Sequence, residues 1–335
     1  MSRRLVTLAL VLAAQCGLAH AVDYVGAPGV GITFDESGYP TGFPYQNSPG
    51  SACSNQTWNG WHNLYWTYCV GNDWHLNGRS SAAAKNGTYG WRHQSVGPLH
   101  DSGDVERSFD TAVPSGGQVW VNAWVRYTGK SEWTKCNTPT TREECFSHFL
   151  FLNSAASGVG PRINTRVKVP YGTPVQCQPS NYTPARPFLT FIPQTDTHEW
   201  DGGTYVQCWN LIDHADEWHY YSFGFKHNGD GNPGTGRIQI YADDAVIFDG
   251  TDTWTTHIKG FDWLMMSNFF SDMPDGGTTF TATIDWDDLR ITDTRLAMPG
   301  GGSGAELAGA ANAAASAGGA VYIPLRAPTI NRVPR

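Results

Sequence analysis

Between Gln118 and Tyr127 the chain alternates strictly. Val119, Val121, Ala123 and Val125 interleave with Gln118, Trp120, Asn122, Trp124 and Arg126. Successive residues of a strand point to opposite faces. The segment therefore predicts a strand with one small apolar face for packing on a second sheet, and a second face carrying two indoles, an amide and a guanidinium. Burial on both sides, with two core tryptophans, is the competing reading. Period-2 patterning also predicts strands over 105–109, 146–153, 162–169, 187–192, 205–211, 218–227, 237–241, 261–270 and 279–291. With frequent glycine turns and few helix-forming runs, these elements predict one all-β domain of two stacked sheets.

The flanks of the chain read differently. Arg3-Arg4, the apolar run from Leu5 to Ala14 and Ala19-His20-Ala21 predict a secretory leader over 1–21. Beyond residue 296 the chain becomes Gly-, Ala- and Pro-rich, too poor in large side chains to build a core, and residues 297–335 are expected to form a disordered tail. This leaves a domain over 22–296, with no later segment apolar enough to span a bilayer. Outside the leader the cysteines number an even six, Cys53, Cys69, Cys136, Cys145, Cys177 and Cys208, and export predicts three disulfides. Fifteen pairings are possible; pairing of sequence neighbours is the simplest. Zinc is the alternative use of these cysteines, but no CxxC or HxxxH spacing supports it.

Of 30 acidic and 22 basic side chains, the leader takes Arg3 and Arg4, and the tail takes Arg326, Arg332, Arg335 and Glu306. The domain keeps 29 acidic against 17 basic groups, a charge near −12. Such a field repels nucleic acid, so a charged glycan would need a local cluster of Arg and His. Asn228, Asp230 and Asn232 alternate as in a calcium loop, but Pro233 stands where glycine is required and no terminal Glu follows, so the segment reads as a hairpin loop and no cofactor is required.

The polar face of 118–127 suits a sugar. Indoles stack on the C–H faces of pyranose rings, while amide and guanidinium groups hydrogen-bond hydroxyls or a carboxylate. Further along, Glu217-Trp-His-Tyr-Tyr-Ser-Phe-Gly-Phe-Lys226, Gly236-Arg-Ile-Gln-Ile-Tyr-Ala-Asp-Asp244 and Thr283-Ile-Asp-Trp-Asp-Asp-Leu-Arg-Ile291 resemble strands of the concanavalin A-like lectin/glucanase superfamily. The resemblance is closest to its polysaccharide-lyase branch, which includes heparin lyase I-like and glucuronan lyase-like proteins. It implies an antiparallel β-jelly roll with a glycan-gripping face, acting as a monomer on an extracellular polysaccharide.

A β-eliminating lyase needs a group to neutralise the uronate carboxylate, a base for the C5 proton and an acid for the leaving oxygen. Arg126 with Asn122 is the candidate neutraliser, His148 the base, and His219 or Tyr221 the acid. Gln118, Trp120, Trp124, Arg162, Asn164, Arg166 and Asn268 are candidate substrate contacts. Two departures stand against the lyase pattern. The late-strand K-x-G-x-Y motif is replaced by Met265-Met-Ser-Asn-Phe-Phe270, and R-x-E-x-R is absent. A hydrolase of this fold would present E-x-D-x-x-E, which is also missing. A non-catalytic glycan-binding protein needs only an aromatic face, with Trp120, Trp124 and Trp209 as its platform.

Overall fold

The computed structural model describes residues 21–300 apart from 27–28, 30, 38, 40–56, 59–60, 65–73, 98–103, 134–145, 154–162, 169–189, 196–202, 208, 227–235, 253–259 and 273–279; in parts of several strands it describes the backbone alone. The leader, all the cysteines, the 228–232 loop and Arg162 lie outside the described residues. The chain divides into two units, Met1–Leu296 and Ala297–Arg335.

Among the described residues, fifteen strands form two antiparallel sheets. The eight-stranded sheet runs in the order β10 (Gly203–Tyr205), β13 (Ala245–Asp252), β12 (Gly236–Ala242), β11 (His219–Lys226), β6 (Gln118–Thr128), β15 (Phe280–Thr292), β4 (Gly90–Gly97) and β3 (Trp74–Ser80). The seven-stranded sheet runs β1 (Thr57–Trp58), β2 (Trp61–Leu64), β5 (Asp104–Ser108), β14 (Trp263–Asp272), β7 (Phe146–Asn153), β8 (Ile163–Lys168) and β9 (Thr190–Thr195). The only helical pieces among the described residues are the turns Ser81–Ala83 and Lys130–Trp133. This is an all-β sandwich of the jelly-roll type.

The core lies between the sheets. Val119, Val121, Ala123 and Val125 of β6 join Tyr221, Phe223 and Phe225 of β11, Ile238 and Ile240 of β12, and Ile284 and Trp286 of β15. Trp61, Val105, Leu264, Met266 and Phe191 come from the seven-stranded sheet. Phe191 joins the layers, meeting Tyr221 and Phe223 edge-on with ring centroids 5.1 and 5.2 Å away. Such contacts add about 1 kcal/mol each beyond area burial.

Two sequence expectations need correction. The strand over 205–211 ends at Tyr205. From Asn210 the chain turns, because the Asn210 side chain accepts from the Ile212 N–H (3.2 Å) and its carbonyl accepts from the Asp213 N–H (3.0 Å). An Asx turn of this kind offers the backbone an alternative to the ladder. The outer face of β6 is also not an open surface. Trp120 lies over Gly224, its cross-strand partner, so closely that an added Cβ would meet the indole at 2.5 Å. Trp120 is 4% and Trp124 8% exposed, and Asn122 is fully buried, donating to Thr292 Oγ1 (3.0 Å) and accepting from the Leu296 N–H (3.2 Å).

The loop after the Ser81–Ala83 turn is tied to β15 by Asp287. This buried carboxylate accepts from the N–H groups of Lys85 (2.7 Å), Asn86 (2.8 Å) and Asp288 (2.9 Å). Burial pushes it up to about 6, against the lowering effect of those donors. The folded-state pKa is raised above the unfolded one, so the folded chain binds the proton more tightly. Its stabilising effect is full below the ordinary aspartate value of about 3.9 and is lost as pH rises through about 6. The melting temperature is therefore expected to fall between pH 4 and 6 relative to Asp287→Asn, which removes that slope; parallel profiles would exclude the titration.

Candidate functional site

The sequence candidates fall on both sheets and on three faces. Arg126 is on the outer face of the eight-stranded sheet, where its register neighbour on β15 is Asp285, itself paired with Arg92 on β4. Asp285 is fully buried and holds both cations: Arg92 Nε at 2.6 Å and Nη2 at 2.8 Å, Arg126 Nη2 at 2.7 Å and Nε at 3.2 Å. Arg126 also donates to the Ala82 carbonyl and lies 4.8 Å over the Trp218 ring. Its donors are thus committed to a buried carboxylate, and releasing them to a uronate would leave Asp285 without one of its partners.

Tyr221 sits on the opposite face, in the core. Its register partner is Ala123, and its hydroxyl accepts from Trp209 Nε1 (3.1 Å). Burial raises its pKa far beyond the range of a working acid; the Trp209 hydrogen bond opposes this and Asp243 adds to it. His219 starts the same strand. Its Nδ1 is 2.6 Å from Asp243 Oδ2, and its Nε2 is buried with no hydrogen-bond partner among the described residues, Glu217 Oε2 standing 3.8 Å away. Burial works against ionisation of Asp243, but the His219 hydrogen bond and the Tyr220 N–H outweigh it and lower its pKa. An ionised carboxylate only accepts, so the Nδ1 that faces Asp243 carries a proton. Asp243 reaches this position from the β12–β13 turn, where Asp243 and Asp244 both adopt positive φ (47° and 65°), the left-handed pair of a type I′ hairpin. Trp209 and His214 flank the imidazole, with ring centroids 5.2 and 4.9 Å away. His214 is lowered by burial first and then by His219. This is an oriented imidazole, but neither Arg126 nor His148 is brought to it.

The remaining candidates lie on the seven-stranded sheet. Met265 is buried yet outside the interlayer core that Leu264 and Met266 enter, so it marks the outer face. Met265 pairs with Phe151, and Phe151 with Asn164. Arg166 is two residues beyond Asn164 and therefore on the same side of β8. Its direct partner across the ladder is His148. The register shifts on both sides of that histidine, between His148 and Leu150 against β8, and between Met266 and Phe269 against β14, an interval that includes Asn268. Bulges are over-represented beside active sites, where they re-aim a side chain.

The roles of Asp285 and Asp243 were not read from the sequence. Asp285 stands within the Asp285-Trp-Asp-Asp288 run of β15, and Asp243 follows β12 as one of two turn aspartates. Only cross-strand pairing shows what either carboxylate faces. Among the described residues no group of three or more His, Cys, Asp or Glu is placed to hold a metal ion, and no helix is long and apolar enough to cross a membrane.

No protein-family model matches the chain, and no curated protein matches it. Solved structures similar to it include a sialidase (TM-score 0.36, 11% identity, 70% of this chain and 17% of that one) and the binding domain of botulinum neurotoxin serotype C1 (0.34, 9%, 72% and 47%). A third is an alginate lyase in complex with an alginate trisaccharide (0.37, 12%, 70% and 99%). The chain thus spans less than half the length of the sialidase and of the toxin domain.

Proposed function

We propose that this chain is a secreted polysaccharide lyase that cleaves a uronate-containing glycan by metal-independent β-elimination on the outer face of the seven-stranded sheet. The observation that carries this reading is the direct cross-strand pairing of His148 with Arg166 at a doubly shifted register. Opposite residues of an antiparallel pair stand about 5 Å apart at Cβ, which suits two groups acting on one sugar ring.

In this reading Arg166, with Asn164 two positions along, neutralises the uronate carboxylate and so acidifies the proton at C5. Neutral His148 takes that proton. The freed electron pair becomes the C4=C5 double bond as the C4–O bond breaks, and the imidazolium returns a proton to the leaving oxygen. Arg126 and Tyr221 are given no catalytic role, because Asp285 holds the first and the core encloses the second. A binding-only reading would use Trp120, Trp124 and Trp209 as an open platform, and all three are buried.

The test is to incubate the purified protein with uronate-containing and neutral polysaccharides, following ultraviolet absorbance of the unsaturated product and reducing ends in parallel. Both signals are expected to rise together on a uronate polymer. Arg166→Ala and His148→Ala should each lower the rate by about 100-fold or more, while Tyr221→Phe retains activity. Reducing ends without absorbance would identify a hydrolase, and absence of both would leave a binding protein.

A further inference from the structure

We propose that residues 293–296 form a strap that masks a second glycan-binding trough, one for uncharged sugars, on the outer face of the eight-stranded sheet. The trough is separate from the His148–Arg166 pair on the other sheet and does not rest on it. Asn122 of β6, Ser222 of β11 and Tyr241 of β12 are direct cross-strand partners in one row. Trp120 and Trp124 stand two residues to either side of Asn122 and share its face. Trp120 meets the Tyr241 ring at 5.8 Å between centroids, and Trp124 meets Tyr220 at 5.3 Å. Small side chains thus make a floor between two aromatic walls. Beyond β15 the chain turns back over this floor. The Leu296 N–H donates to Asn122 Oδ1 (3.2 Å), while Arg295 lies 4.3 Å over the Tyr241 ring and pairs with Asp244 (2.6 Å). Ser222, between Asn122 and Tyr241 in the row, lies under the strap and is 1% exposed.

The cover leaves polar groups unserved. Trp120 Nε1, Trp124 Nε1 and Ser222 Oγ are buried in this one patch with no hydrogen-bond partner among the described residues. Buried donors are nearly always paired, and leaving one unmade costs the full desolvation of the group. Sugar rings supply what the strap does not: their hydroxyl oxygens accept, and their C–H faces stack on aromatic rings. The unserved groups are uncharged, and the arginines of this face already sit on carboxylates, Arg126 on Asp285, Arg290 on Asp23 and Arg237 on Asp249. The trough therefore suits neutral rings. The strap itself is held by one neutral hydrogen bond, one ion pair whose side chains keep 16% and 33% exposure, and one cation–π contact. Contacts of these kinds are individually weak, so a ligand that satisfies the buried donors can displace them. While the strap is down, the apparent affinity for sugar is reduced by the fraction of molecules in which the trough is open.

The experiment measures retardation of the full chain in native gels containing hydroxyethylcellulose, glucomannan or alginate. Arg295→Ala removes the ion pair and the cation–π contact, and Arg295→Ala/Leu296→Pro also removes the N–H that Asn122 accepts. The double variant is expected to bind one of the two neutral polymers about tenfold or more tightly than the unaltered chain, with Arg295→Ala in between. Adding Trp120→Phe, which keeps a ring but loses the N–H, or Ser222→Ala should each weaken that binding about threefold or more. Cooperative thermal melts establish that each variant is folded; Arg295→Ala leaves every backbone donor in place and carries the comparison alone where the proline variant does not melt cooperatively. Equal retardation of the unaltered and released chains overturns the proposal, as does binding that survives loss of both donors. Retardation by alginate alone, or by no polymer, overturns it as well.

Discussion

Asp285→Ala is expected to destabilise the fold by about 3–5 kcal/mol, the usual cost of removing one partner from a buried ion pair. Asp285 is completely enclosed and lies between Arg92 and Arg126 on three adjacent strands, β4, β15 and β6. Four guanidinium N–H groups converge on its two oxygens at 2.6–3.2 Å. Both arginines also donate to the Ala82 carbonyl, so the cluster fastens the Ser81–Ala83 turn to the sheet. Without the carboxylate, two partly buried cations are left facing each other. Their side chains keep 16% and 21% exposure, which lets water recover part of the loss and puts the lower end of the range in view. Asp285→Asn preserves one acceptor and should cost less. Replacing all three residues together by apolar ones of similar volume should come close to neutral, since desolvation of the ions disappears along with their attraction. Denaturant midpoints measured on the four proteins check this, and an Asp285→Ala midpoint equal to that of the unaltered chain would show that the cluster is energetically idle.

Gly90→Ala is the second large effect, at about 3 kcal/mol or more. A Cβ on Gly90 would stand 1.9 Å from the Ala83 carbonyl oxygen, 2.6 Å from its carbon and 2.8 Å from the Trp286 oxygen. All three are backbone atoms, so no rotamer change relieves the clash; either the turn or the β15 backbone must move. Gly29→Ala supplies the contrast. Gly29 has φ of +81° but nothing within 4 Å of an added Cβ. Its substitution costs only the left-handed backbone, about 1 kcal/mol. Thermal melts of the two variants separate steric exclusion from backbone strain, and similar losses would mean that the turn yields easily.

These effects show how far the linear chain could be read. The strand Phe146–Asn153 was legible to the residue, and β6, β11, β12 and β15 to within a residue at each end, because apolar residues at every second position have one consistent use, an inner sheet face. Strand β4 was not legible. Its inward residues include His93 along with Trp91, and glycines bound it at both ends, so its pattern is polar where a core strand is normally apolar. Strand β13 follows a turn of two aspartates, whose left-handed conformation is usually announced by Gly or Asn.

The candidate site was legible by residue type and not by grouping. Alternation alone determined that Trp120, Asn122, Trp124 and Arg126 share a face opposite Val119, Val121, Ala123 and Val125, since the two-residue period is local and independent of what packs above it. Whether that face would be open was a matter for residues far away in the chain: Gly224 beneath Trp120, Asp285 against Arg126, and Leu296 on Asn122. The same holds for the meeting of His148 with Arg166. Both residues could be named from the sequence, but their pairing depends on strand register, which is set by long-range ladders and two register shifts. The sequence by itself determined the all-β class, the strands' faces and the stock of chemically useful side chains, because these follow from local periodicity and composition. Only the tertiary structure decided which of those side chains are used up in ion pairs and core contacts and which come together, because pairing and burial are properties of chain segments brought side by side.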